Sequence, residues 1–171
     1  MRPRPRIPTR HRLAYFSGYL TLGLVREATA ELDAIGGDDR HSLPVRLARV
    51  ELAMAVEEWE LVVALAQPLT QTAPEEERPW IAWAYALRER QRIEAARAVL
   101  LRAEPRHGAR SVVLQFNLAC YESLLGDFEA AQHRLKLAAK IDRAFCDDAA
   151  PGDPDLQPLW KAIGSPGGVK D

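Results

Sequence analysis

Apolar residues return at steps of three and four along most of the chain. Leu114, Leu118, Tyr121 and Leu124/Leu125 form one series, and Phe128, Ala131, Leu135 and Ala138 form the next. That period lays side chains along one stripe of an α-helix, and the strict alternation of a half-buried strand is absent. The helical stretches end where stop residues fall, at Gly36-Gly37, at Thr72-Ala73-Pro74 and from Pro105 to Gly108. The pattern predicts an all-α protein.

These stops are evenly spaced, which points to an internal repeat. Aligning DFEAA at Asp127–Ala131 with RIEAA at Arg92–Ala96 leads back to WELVV at Trp59–Val63 and LVREA at Leu24–Ala28. Ala28, Val62, Ala96 and Ala131 then share a register, at spacings of 34, 34 and 35 residues. No helix pair of this size buries its apolar stripe alone, so each pair needs the next one stacked on it.

A 34-residue period of paired helices resembles the tetratricopeptide repeat, whose first helix carries a Trp, a Leu-Gly pair and a Tyr, and whose second carries an Ala and an aromatic. Trp80, Trp83-Ala84, Leu87, Ala96 and Leu100 occupy those slots in the third repeat, and Leu118-Ala119, Gly126-Asp127, Phe128 and Ala131 in the fourth. The closing run Asp153-Pro154-Asp155-Leu156-Gln157-Pro158-Leu159-Trp160, after the NLACY segment, resembles the ending of a bacterial group of such proteins. The resemblance implies a right-handed α-α superhelix of about four helix pairs, with repeats near 10–40, 41–74, 75–108 and 109–143 and a cap at 153–164. In that cap Asp153 precedes the helix as its N-cap, and Leu156, Leu159, Trp160 and Ile163 share one face to cover the end of the fourth repeat. The first two repeats depart most from the pattern: Tyr15-Phe16 is bulky at the Leu-Gly slot, Arg49 replaces a Leu, and Pro68 predicts a kink or early end near Ala64–Pro68.

Composition agrees, since Ala, Leu, Arg and Glu dominate and these lose little on entering a helix. The 171 residues carry a net charge of −1, but five of the 23 basic side chains fall in the first twelve residues, leaving 18 against 24 acids in the rest. The Pro/Arg-rich residues 1–9, and likewise 165–171, are expected to be disordered, and with no aromatic among the arginines no nucleic-acid partner is expected. No apolar core of a secretory signal follows the arginines and no apolar run approaches a membrane span, so a cytoplasmic protein is expected. Cys120 and Cys146 are isolated thiols without metal-type spacing.

The chain offers little chemistry. Cys120 and His133 could pair as nucleophile and base, yet no Gly-rich oxyanion loop accompanies them, and a cysteine on a helix is a small packing residue. Glu75–Glu77 follow Pro74 at a helix start and Glu57-Glu58 occupy a tight turn, positions that account for both acidic groups. Four scattered histidines make no metal site, and no phosphate-binding loop occurs. The chain is therefore read as a non-enzyme without cofactor or metal.

In the family frame the first helices line a concave face. Its exposed side chains are expected to be Leu13, Ser17 and Leu20 from the first repeat, Leu47, Glu51 and Met54 from the second, Arg78, Ile81, Tyr85 and Arg88 from the third, and Phe116, Asn117, Cys120 and Ser123 from the fourth. Mixed aromatic, apolar and Arg side chains suit a protein partner. The Lys/Arg and Asn clamp by which some family members hold the acidic tails of heat-shock chaperones is not reproduced, because Leu13, Ser17, Ala48 and Ala82 stand at its slots. The reading is an interaction scaffold that binds a protein or peptide on this face. A small chaperone or a self-assembling component is the alternative.

Overall fold

The computed structural model describes residues 7–164. Among the described residues ten α-helices and two short 3-10 turns occur, and no strand. The helices are α1 (Thr9–Thr21), α2 (Val25–Asp33), α3 (Leu43–Ala55), α4 (Trp59–Thr72), α5 (Arg78–Glu89), α6 (Ile93–His107), α7 (Val112–Leu124), α8 (Phe128–Ile141), α9 (Arg143–Ala149) and α10 (Gln157–Ile163). The chain divides into two compact units, Met1–Pro74 and Glu75–Asp171. Of the two ends expected to be disordered, residues 1–6 and 165–171 lie outside the described residues, while Thr9 already opens α1.

The repeat is written into the backbone of the turns within each helix pair. Gly23, Glu57, Gln91 and Gly126 all have positive φ, at 72°, 57°, 59° and 81°. They follow one another at the same 34, 34 and 35 residues that separate the apolar register positions. In each turn the next residue's N–H reaches back five residues: Leu24 to Tyr19 O at 2.9 Å, Glu58 to Ala53 O at 3.0 Å, Arg92 to Leu87 O at 2.9 Å and Asp127 to Glu122 O at 2.9 Å. This satisfies the last free carbonyls of each first helix by the left-handed C-terminal motif. One turn further on, Ala28, Val62, Ala96 and Ala131 are each fully buried, as small or branched residues must be where two helices approach closely.

Glu57 and Gln91 adopt the left-handed conformation without glycine's freedom, which costs a side-chain-bearing residue about 1–2 kcal/mol. Part of that is returned by the lower chain entropy of a non-glycine residue. Glu57→Gly and Gln91→Gly are therefore each expected to raise the unfolding free energy by about 0.5–1 kcal/mol in urea titrations. A loss of stability in both variants would show that these turns are held by side-chain contacts instead.

In the first unit, Phe16, Ala28, Leu32, Ile35, Val45 and Ala48 form the core, with Leu13, Tyr19, Leu20 and Leu52 packed against it. Arg12 on α1 bridges to Glu31 on α2 at 2.7 Å. Phe16 is buried while its neighbour Tyr15 is exposed, so the bulky pair is split between core and solvent.

One sequence expectation is corrected here: α4 does not end near Pro68 but runs to Thr72, whereas α6 passes Pro105 and ends at His107, within the stop expected from Pro105 to Gly108. Both prolines are exposed, so each missing N–H leaves its unpaired carbonyl on the wet side of the helix. The opposite sides stay anchored by buried Ala66 and Leu69 in α4 and by Ala103 and His107 in α6.

In the second unit, α5 packs on α6, and Trp80, Trp83 and Leu87 of the first and Ala96, Val99, Leu100 and Ala103 of the second are buried. The Arg102 guanidinium lies 5.5 Å from the Trp80 ring and 5.7 Å from that of Trp83, a cation–π arrangement. Helices α6, α7 and α8 share a polar staple. Gln115 Nε2 donates to Gly108 O at 3.0 Å and to Glu104 at 3.3 Å, while Arg134 donates to Gln115 Oε1 at 3.1 Å and to Glu104 Oε2 at 3.2 Å. Burial pushes the Glu104 carboxyl up, but the hydrogen bonds from Arg134 and Gln115 and the Arg134 charge outweigh it and hold it below the usual carboxylate range.

The chain after α8 holds a helix that the sequence reading did not foresee. Asp142 caps α9, accepting from the Phe145 N–H at 3.0 Å, and after a turn Asp153 accepts from the Asp155 N–H at 2.8 Å to start the 3-10 turn Pro154–Leu156. Residues 143–163 form a strap, closed on itself by Trp160 Nε1 donating to Ala150 O at 3.2 Å.

The candidate binding face and the strap that covers it

The strap's first helix, α9, packs along α8, its 3-10 turn and α10 sit on α7, and α10 also touches α8. Leu156 and Leu159 are fully buried and Trp160 nearly so, whereas Ile163 stays exposed. The segment thus caps the last repeat across its first helix as well as its second, and Ile163 does not join the packing face assigned to it.

Its polar contacts are specific. On α5, Arg88 Nε donates to Asp155 Oδ2 at 2.7 Å, and a second guanidinium nitrogen donates to Asp155 Oδ1 in the paired geometry that suits a carboxylate. Arg88 also donates to Glu89 at 2.6 Å. Hydrogen bonding to Asp155 pushes the Arg88 pKa up, so its charge is permanent. On α7, Ser123 Oγ accepts the Leu159 N–H at 3.2 Å. Phe116 meets Phe145 of α9 edge to face, with ring centroids 5.4 Å apart.

Each side chain assigned to the binding face can now be placed. In the second unit, Phe116 and Cys120 are buried, Arg88 is partly buried in its ion pair, and Asn117 is half-buried. Arg78 is exposed and pairs with Glu76 at 3.0 Å, Ile81 is half-buried, and Tyr85 remains open to solvent. In the first unit, Leu13 and Leu20 pack half-buried against the core and Ser17 is exposed, Leu47 is buried, and Glu51 and Met54 are half-buried. Thus Arg88, Phe116 and Cys120 meet under the strap, Arg78, Ile81 and Tyr85 lie along the rest of α5, and Leu47, Glu51 and Met54 lie on α3 of the other unit.

Ser123, also expected on this face, lies buried under the strap, and Asp153 and Asp155, which the sequence did not point to, complete the covered site. One signal was available: α7 reads VVLQFNLACYESL, apolar nearly all round, and a helix of that kind is covered on every side. Residues Leu114 to Ser123 are buried apart from half-buried Asn117. The face carrying Phe116 and Cys120 therefore needed a cover, which α6 and α8 could not both supply.

Burial pushes the Cys120 thiol well up, and the neighbouring Asp153 and Asp155 charges add to the shift. A thiol held protonated is a poor nucleophile, and its candidate base His133 is exposed on α8. Burial also raises the Asp153 carboxyl, to which Cys120 donates a hydrogen bond. Among the described residues, no three His, Cys, Asp or Glu side chains group as a metal site, and no helix is long and apolar enough to cross a membrane.

Solved structures match the chain over most of its length. TTC0263, a thermophilic TPR protein of Thermus thermophilus, has a TM-score of 0.72 at 16% identity, covering 92% of this chain and 84% of that one. MamA AMB-1 has a TM-score of 0.64 at 13% identity, with 91% and 82% covered, and a point mutant of MamA has 0.61 at 15%, with 90% and 94% covered. At these identities the likeness is one of fold, and the fold is the all-α tetratricopeptide-like solenoid. No family model matches the chain, and no curated protein matches it in sequence.

Proposed function

We propose that this chain is a noncatalytic interaction module that binds a protein or peptide partner through the first-helix faces of its repeats. The observation that carries the reading is the strap itself. A first-helix face of this chain already holds a peptide segment by side-chain-specific contacts, Arg88 to a carboxylate and Ser123 to a backbone N–H. Exposed Tyr85 and half-buried Ile81 extend that face along α5, and Glu51 and Met54 offer a corresponding surface on α3. Aromatic and apolar anchors among polar side chains are what a protein interface uses. The closing Asp153–Trp160 run supports placing the chain with bacterial tetratricopeptide proteins that act in the cytoplasm.

Affinity capture from host extract with the full chain, run beside Tyr85→Glu and Met54→Glu, tests the reading one unit at a time. At least one captured protein is expected to bind about tenfold more weakly to one of the variants, the loss typical of an interface anchor. Identical prey at identical recovery on all three chains would remove these faces as the binding surface.

A further inference from the structure

We infer that the α5–α7 face is a site for a peptide segment supplied by a partner protein, one carrying a single carboxylate, a prolyl turn and a following leucine, and that the strap 143–163 is the built-in competitor that occupies it. The inference rests on the interaction role just proposed and names the chemistry of the partner.

The strap defines what the face recognises. Asp155 is taken by Arg88, Pro154 sets the tight turn, Leu156 and Leu159 fill apolar positions, and the Leu159 N–H is received by Ser123. These are contacts that any chain of the same local sequence can make, because they use one carboxylate, one backbone N–H and two aliphatic side chains.

The strap is also an imperfect occupant, in two independent ways. First, it brings two carboxylates to one guanidinium. Asp155 pairs with Arg88, which also serves Glu89, while half-buried Asp153 feels that guanidinium's charge from outside the pair and is bonded to the Asp155 N–H. Taking a second like charge out of water beside a cation that is already paired opposes docking. Second, the Tyr121 hydroxyl is buried under the strap with no hydrogen-bond partner, within the fields of Arg88 and Asp155. A buried hydroxyl left unpaired opposes docking as well. A peptide that keeps the Asp155 carboxylate, and replaces Asp153 by a neutral hydrogen-bonding residue, removes the first fault. Such a peptide fits this face better than the chain's own strap, which wins by being tethered.

The test uses the full chain and a fluorescent synthetic peptide of residues 150–163 carrying Asp153→Asn, read by anisotropy. Asp155→Asn in the full chain loosens the strap and leaves Arg88 in place. That chain is expected to bind the peptide at least about tenfold more tightly than wild type, and adding Arg88→Ala is expected to abolish the gain. The peptide of unaltered sequence is expected to bind more weakly than the Asp153→Asn peptide. Absence of any gain on loosening, or a gain indifferent to Arg88, overturns the inference. So does sedimentation showing that the loosened chains pair by exchanging straps without taking up peptide, which would assign the face to a second copy. Circular dichroism confirms that the Asp155→Asn chain is folded, and Leu159→Ala loosens the strap from its other end if it is not. Should the peptide fail while Tyr85→Glu still loses a captured protein, the interaction role stands and only the strap's part in it falls.

Discussion

Trp83→Ala is expected to lower the unfolding free energy by about 3–5 kcal/mol, the range for truncating a buried tryptophan. Trp83 is 8% exposed and sits in the α5 layer with Trp80 and Leu87, opposite fully buried Ala96, Leu100 and Ala103 of α6. Those alanines have no side chain to swing into the space, so little of the cavity can collapse. The substitution also deprives Arg102 of one of its two rings, a smaller loss because Arg102 is exposed. Tyr15→Ala is the control, since that ring is half exposed and its loss is expected to change stability by no more than about 0.5 kcal/mol. The comparison is read in urea titrations followed by circular dichroism. An unchanged midpoint for Trp83→Ala would mean that the third repeat does not pack as described.

Arg88→Ala carries the second large expectation, a loss of about 2–3 kcal/mol. Its origin is the carboxylate left behind: Asp155 is 12% exposed at its side chain and would keep its charge with no cation against it. The figure is set below the range for a fully buried pair because the Arg88 side chain is 23% exposed and water screens part of the interaction. Asp155→Ala removes the charge that needs pairing, so it is expected to cost less, about 1–2 kcal/mol. The double variant is expected to resemble Asp155→Ala alone, giving a coupling energy of about 1 kcal/mol or more. Hydrogen exchange supplies the structural half of the measurement. Protection at the Leu159 amide, which donates to Ser123, should fall in Arg88→Ala if the ion pair anchors the strap. Additive losses with unchanged protection would show that the apolar contacts of Leu156 and Leu159 hold the strap without it.

The repeat was legible because it rests on short-range geometry. Ala28, Val62, Ala96 and Ala131 could be put in register from the sequence, and all four are fully buried. The turn before each of them has its left-handed residue at the matching position, twice as glycine and twice without it. Glu57 and Gln91 carry no turn signature of their own; the turn at Glu57-Glu58 followed from its place before the Trp59 helix, and the left-handed Gln91 appears only in the structure. Trp80 and Trp83 read as core and are core.

Pro68 and the binding face were not legible to the same degree. A local rule kinks or ends a helix near Pro68, but whether the lost hydrogen bond matters depends on which side of the helix faces water, and that is decided by what packs on the other side. Likewise, Phe116 and Cys120 stand one step off the repeat's packing slots, where an open groove would leave them exposed. They are buried because a segment from 29 residues after Phe116 lays Phe145 against it, and Asp153 and Asp155 follow onto Cys120 and Arg88.

By itself, then, the sequence determined the elements and their period, because helix stripes and turn geometry involve residues within a few positions of one another. Only the tertiary structure decided which part of the first-helix face is free. The Arg88–Asp155 pair joins residues 67 positions apart, and no local pattern in either neighbourhood specifies the other. Its selection depends on charge, burial and reach in the folded second unit, where a tethered strap outcompetes solvent for a face that the repeat alone would have left open.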